Sequence, residues 1–349
     1  MRGIRICIIA ALLGLAFAPQ PSLAATAAQN CYNDGVNANY SAAITDCTAA
    51  INQNPTDENS YVNRCASYNN LGNYSAGVAD CTQAIALNPK DAHAYNNRCS
   101  SYNNLGNYSA ALADCTQAIA LNLKDAHAYV KRCASYKDLG NYSAALADCS
   151  QAISLNPKEG YAYVNRCASY NDLGNYTAAV ADCTQAIALN PKDAIAYNNR
   201  CNAYNNLDNS SAALADCNQA IALNPKDSLA YNNRCISYND LGNYSAAVAD
   251  CTQAIALNPK DEKPYNDRCI SNNGLGNYGA ALADCNQAIA LNPKDPSPYN
   301  NLGTNYEKQG QNAAAIADYQ KALTIDPSNQ NAQNALKRLG ASPTAPGGG

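Results

Sequence analysis

Small apolar and aromatic residues recur three and four positions apart along nearly the whole chain, the spacing of a helix that buries one face. In residues 92–125, Ala94, Tyr95, Cys99 and Tyr102 fall on one such face, and Ala111, Leu112, Cys115, Ala118, Ile119 and Leu121 on a second. Gly106 separates the two runs, so the block predicts two helices joined by a turn. Most blocks stop at Asn-Pro-Lys-Asp, as at Asn88 to Asp91, where Pro prevents continuation and Asp can cap the next helix. The block returns every 34 residues, giving nine units that begin at 24, 58, 92, 126, 160, 194, 228, 262 and 296. A short capping helix over 330–341 and a loose Gly/Pro tail over 342–349 are expected to follow.

Composition agrees with one unit copied many times. The 349 residues include no Trp, one Phe and one Met, but 25 Tyr and 17 Cys. Two His leave little for acid–base or metal chemistry, and neither a cofactor nor a metal site is expected. The net charge of −4 lacks the basic footprint of a nucleic-acid binder.

Residues 1–24 have the form of a secretory signal: Arg2 and Arg5, an apolar run from Ile6 to Phe17, and the small-x-small ending Ser22-Leu23-Ala24. The run is shorter than the roughly 20 residues that span a bilayer. Cleavage near Ala24, no membrane insertion, and a periplasmic or secreted mature protein are expected.

The unit resembles the tetratricopeptide repeat over nearly the whole mature chain. Tyr95, Tyr102, Gly106 and Tyr108 match the family's aromatic position 4, Tyr at 11, turn Gly and Tyr at 17, while Ala111 and Ala118 match its small residues at 20 and 27. The family Pro at position 32 occurs in eight of nine units, Leu123 being the exception. The resemblance implies an all-α, right-handed α-solenoid of helix pairs whose inner wall is built mainly from first helices. Units one and nine depart most, Ala27, Asp34 and Ala38 replacing Tyr, Tyr and Gly in the first. End units of a solenoid meet water on one side.

Beyond Cys7, the cysteines stand at Cys31, Cys47, Cys65, Cys81, Cys99, Cys115, Cys133, Cys149, Cys167, Cys183, Cys201, Cys217, Cys235, Cys251, Cys269 and Cys285, in alternating steps of 16 and 18. Folding a unit at its turn opposes its two cysteines, whereas pairing across units strands Cys31 and Cys285. Unit nine loses both together, to Gly303 and Tyr319. Disulfides within units are therefore expected, with buried free thiols as the alternative. No Cys-x-x-Cys metal motif occurs.

Arg64, Arg98, Arg132, Arg166, Arg200, Arg234 and Arg268 each precede a Cys, and Asp46 through Asp318 precede the second Cys position. Buried Arg–Asp pairs are expected, the Arg reaching back to the preceding unit's Asp. A solvated charge stripe is the alternative. Sequons at Asn39, Asn73, Asn107, Asn141, Asn175, Asn209 and Asn243 all fall in the inter-helix turn, fitting either helix capping or glycosylation.

In the family geometry, positions 2, 5, 9 and 12 of each first helix face the groove. Those positions hold Tyr161, Ile195, Leu229, Ile236 and Ile270, with Asn198, Asn205, Asn232 and Asn239. The aliphatic residues predict a docking patch and the amides a wall of neutral donors and acceptors. Drift at tolerant surface positions fits them too. The basic clamp by which some family members hold acidic tails is missing, since position 5 is Asn or Val in units two to nine and only Lys131 is basic at position 6. The reading is a non-enzymatic extracytoplasmic scaffold for a peptide or protein partner. A self-assembling envelope protein is one alternative and a cell-wall or β-lactam-related hydrolase another, although no Ser-x-x-Lys or Gly-x-Ser-x-Gly nucleophile setting occurs.

Overall fold

The computed structural model describes residues 23–342; residues 1–22 of the expected signal, and 343–349 of the expected tail, lie outside the described residues. The described residues form an all-α solenoid that divides into two compact units, up to Lys124 and from Asp125 onward. The first comprises α1 (Leu23–Val36), α2 (Tyr40–Gln53), α3 (Glu58–Asn70), α4 (Tyr74–Leu87), α5 (Ala92–Asn104) and α6 (Tyr108–Leu121). The second comprises α7 (Ala126–Asp138), α8 (Tyr142–Leu155), α9 (Gly160–Asp172), α10 (Tyr176–Leu189), α11 (Ala194–Asn206), α12 (Ser210–Leu223), α13 (Ser228–Asp240) and α14 (Tyr244–Leu257). It continues through α15 (Lys263–Leu275), α16 (Tyr278–Leu291), α17 (Ser297–Lys308), α18 (Asn312–Ile325) and α19 (Gln330–Arg338). Odd-numbered first helices alternate with even-numbered second helices.

The turns follow from local chemistry. Gly106 takes φ +73, a left-handed conformation that lacks the Cβ penalty only in Gly, and lets α5 reverse into α6. Asn107 then caps α6, its Oδ1 accepting the Ala110 N–H at 3.3 Å. Asn141, Asn175, Asn209 and Asn243 cap their helices in the same way, so capping accounts for the Asn of these five sequons. At the other end of the repeat, the Asp91 carboxylate accepts the His93 N–H at 2.8 Å to start α5.

Each of the first eight repeats has a core of small residues clamped by a disulfide. Cys99 and Cys115, fully buried, join α5 to α6 with Cα atoms 5.5 Å apart, and Ala111 packs beside them. The same bridge within the repeat joins Cys31–Cys47, Cys65–Cys81, Cys133–Cys149, Cys167–Cys183, Cys201–Cys217, Cys235–Cys251 and Cys269–Cys285. At the far end, α19 buries Ala332, Ala335 and Leu336 against Ala315, Tyr319 and Leu323.

The Arg and Asp ladders pair within a repeat, which corrects the expectation that Arg reaches back to the preceding repeat's Asp. Arg166 Nε and Nη2 donate to both oxygens of Asp182 at 2.6 and 2.8 Å. The reason lies in the neighbouring disulfide: Arg166 and Asp182 each precede a cysteine of one bridge, so the bridge sets them opposite each other. What reaches back is Arg166 Nη1, donating to the Ser150 hydroxyl of the previous repeat at 3.0 Å. Arg200 makes the same contact with Thr184, and Arg268 with Thr252. The guanidinium also sits over aromatic faces, 5.8 Å from Tyr197 and 5.9 Å from Tyr204 in the case of Arg200.

Candidate functional site

The expected groove residues belong to the first helices of the second unit. Tyr161, Ile195 and Leu229 are respectively 67, 60 and 52% exposed, Ile270 is 36% exposed, and Ile236 is half-buried. Four of the five line one of two clefts. Tyr161 and Ile195 line a cleft of about 550 Å³ together with Val164, Lys137, Lys192 and Asp193. Leu229 and Ile236 line another of about 580 Å³, built on α9, α11, α13 and α15, with Asn198, Asn232, Asp172, Asp267 and Lys263. Ile270, Asn205 and Asn239 lie outside both linings.

The amides divide in the same way. Asn205 is buried, donates from Nδ2 to the Asn233 carbonyl at 2.8 Å, and accepts the Ser237 hydroxyl on Oδ1 at 2.7 Å. Asn239 repeats this with the Asp267 carbonyl at 3.1 Å and Ser271 at 2.7 Å. These two amides tie successive repeats together and are spent on the fold rather than offered to a ligand. Asn198 accepts from Asn233 Nδ2 at 2.8 Å, and Asn232 donates to Asp267 at 3.1 Å.

Asp267 is the residue that sequence reasoning passed over. Its register, the sixth position of a repeat, holds Asn in Asn165, Asn199, Asn233 and Asn301, so a lone acid in a copied frame was the available signal. Burial pushes its carboxyl up to about 7, with Asp261 and Asp240 adding to the rise while the Asn232 hydrogen bond and Lys263 oppose it. Asp172 is also raised, chiefly by burial, against the pull of Lys137 and Lys263. Lys131, basic at the same register as Asp267, has its ammonium pushed down to about 8 by burial.

A hollow of about 860 Å³ in the first unit is lined by Tyr32, Asp57, Glu58, Asp91 and His93. Burial, and then the neighbouring Asp91 carboxylate, raise Glu58 to about 7. In the second unit His127 Nδ1 faces Glu159 at 3.2 Å. Among the described residues no group of three His, Cys, Asp or Glu side chains is arranged to hold a metal, and no helix is long and apolar enough to cross a membrane.

Stacked helix pairs with these repeat residues define a helical-repeat protein. Tetratricopeptide repeat profiles match residues 67–129, 126–159, 160–193, 194–227, 228–261 and 296–329, and a TPR repeat profile matches 274–310. The chain belongs to the tetratricopeptide repeat family.

No curated protein matches the sequence. Among solved structures, the chain resembles one in the APC/C hetero-tetramer Cut9–Hcn1, with TM-score 0.65 and 18% identity over 83% of this chain; it spans 57% of that chain's length. A tetratricopeptide repeat protein from Parabacteroides merdae has TM-score 0.55 and 20% identity over 72% of this chain and 99% of its own. Human IFIT1, solved as a dimer with m7Gppp-AAAA, has TM-score 0.58 and 15% identity over 92% of this chain and 82% of its own. At these identities the likeness is one of fold.

Proposed function

We propose that this protein is a non-enzymatic scaffold acting outside the cytoplasm, and that it holds a peptide or protein partner on the first-helix face of its second unit. The observation that carries this reading is the pair of aliphatic residues, Ile195 and Leu229, standing in water beside concave clefts on a face otherwise lined with Asn, Asp and Lys. A rigid groove suits such a task because the disulfides hold the first eight helix pairs before a partner arrives, which lowers the ordering cost of binding. The Ser22-Leu23-Ala24 ending supports export, and oxidised cysteines belong to exported proteins. The net charge of −4 supports a protein rather than a nucleic-acid partner.

The test is a partner pull-down with the full secreted chain and with a variant carrying Tyr161→Ser, Ile195→Ser, Leu229→Ser and Ile236→Ser. The expected result is a defined partner retained by the native protein and lost from a variant with an unchanged melting curve. Retention of the same partners by both proteins would refute the reading.

A further inference from the structure

Deepening the groove reading, and resting on it, we infer that the cleft over α9 to α15 takes a cationic side chain of its partner, an Arg or Lys flanked by aliphatic residues. The lining offers two kinds of contact side by side. Leu229 and Ile236 supply apolar surface, while Asp172, Asp267 and Asp295 supply three carboxylates against the single ammonium of Lys263. Charge complementarity thus selects a cation, and the aliphatic pair selects apolar neighbours for it.

Two features of these carboxyl groups bear on the cation. Lys263, the one lysine of the lining, acts through space on both Asp172 and Asp267, while Asp172 also feels Lys137 from outside the lining. Asp267 nevertheless remains difficult to ionise, because burial outweighs the help from Lys263 and Asn232. An incoming guanidinium relieves that cost by the route Lys263 serves incompletely, and Lys263 competes with it. The groups facing Asp267 are Asn232 and Asp240 of α13, Lys263 of its own helix and Asp261 of the preceding loop, with Asp172 and Asp295 elsewhere in the lining.

The test uses the full oxidised chain and fluorescein-labelled peptides with Leu-Arg-Leu, Leu-Gln-Leu or Leu-Glu-Leu in one Gly-Ser frame, read by fluorescence anisotropy. The Arg peptide is expected to bind at least about tenfold more tightly than the Gln peptide, and the Glu peptide least. Asp267→Asn keeps the side-chain shape and Asp172→Asn alters an exposed group; each is expected to weaken the Arg peptide several-fold with no loss of thermal stability, and Asp267→Asn to raise the melting temperature at neutral pH. Lys263→Gln is expected to tighten it, and Asp326→Asn, outside the cleft lining, to leave it unaltered. Affinity for the Arg peptide is expected to rise between about pH 6 and about pH 8 as Asp267 ionises.

Equal binding of the Arg and Gln peptides, indifference to Asp267→Asn, or no binding of the Arg peptide would overturn the inference. Equal binding of Arg and Gln peptides that is lost on Leu229→Ser would overturn the cation preference alone and leave the groove reading standing. Failure of the groove reading is read separately, in the pull-down with the fourfold Ser variant.

Discussion

Asn171 Oδ1 is buried and finds no hydrogen-bond partner among the described residues, and the repeat that follows carries Ala203 where others carry Ser. In those others the hydroxyl fills the need: Ser237 donates to Asn205 Oδ1 at 2.7 Å, Ser271 to Asn239 Oδ1 at 2.7 Å, and Ser101 to Asn69 Oδ1 at 2.6 Å. Ala203→Ser supplies the missing donor. An unmet buried acceptor costs about 1–3 kcal/mol, so the variant is expected to gain about 1 kcal/mol in chemical denaturation. A loss of stability would show that the site cannot accommodate the hydroxyl.

In the ninth repeat the Tyr319 ring occupies the space that a disulfide fills elsewhere. A Cβ on Gly303 would lie 2.6 Å from Tyr319 Cε1, and the ring is itself buried. Gly303→Ala gains helix propensity but overpacks this contact, and a net loss of about 1–2 kcal/mol is expected. Gly303→Cys combined with Tyr319→Cys is expected to form a ninth bridge, seen as an added mass change on reduction.

Arg166 and Asp182 test the ladder. Arg166→Leu leaves a largely buried carboxylate without its two guanidinium donors, and about 2–3 kcal/mol of stability is expected to be lost. Adding Asp182→Leu to the same chain is expected to recover most of it, since removing both charges also removes the desolvation cost. Urea titrations of the single and double variants distinguish this from a solvated stripe, for which neither change would register.

Asp318 shows what happens where the Arg is missing. Leu302 stands at the Arg position of that repeat, and burial raises the Asp318 carboxyl to about 6. A carboxyl raised in the folded state holds its proton more tightly there than in the unfolded chain, so its ionisation costs stability as pH climbs from about 4 through about 6. Asp318→Asn is therefore expected to stabilise the protein by about 1 kcal/mol at neutral pH and by almost nothing near pH 4. An equal effect at both pH values would refute the assignment to charge.

The eight bridges are checked by intact mass. Reduction is expected to add about 16 Da, with peptides such as Cys99–Cys115 linked before it. Closing a loop of this size contributes roughly 3 kcal/mol in the chain-entropy model, so a marked fall in melting temperature on reduction is expected. The same measurement reads cleavage at Ala24 directly. Sixteen free thiols would remove the argument for export.

Much of the fold was legible because it is local. The spacing of Ala94, Tyr95, Cys99 and Tyr102, the break at Gly106 and the stop at Asn88 to Asp91 act within one repeat, and each repeat states them again. The disulfide partners were legible too, because parity and the joint loss at Gly303 and Tyr319 constrain them without coordinates. The direction of Arg166 was misjudged, because alternating steps of 16 and 18 place an Asp on either side of it and the legible cysteine pairing was not carried over to its neighbours. The bridge at Cys167–Cys183 sets Asp182 opposite it.

The groove divides along the same line. Exposure of Ile195 and Leu229 is what the family resemblance implied for the second position of a first helix. Sequence also determined the family and the repeat length, both of which rest on short-range pattern. Tertiary structure decided that Asn205 and Asn239 are struts and that Asp172 and Asp267 share the field of Lys263. Those outcomes depend on distances between helices that are remote in sequence, and packing, rather than periodicity, sets such distances.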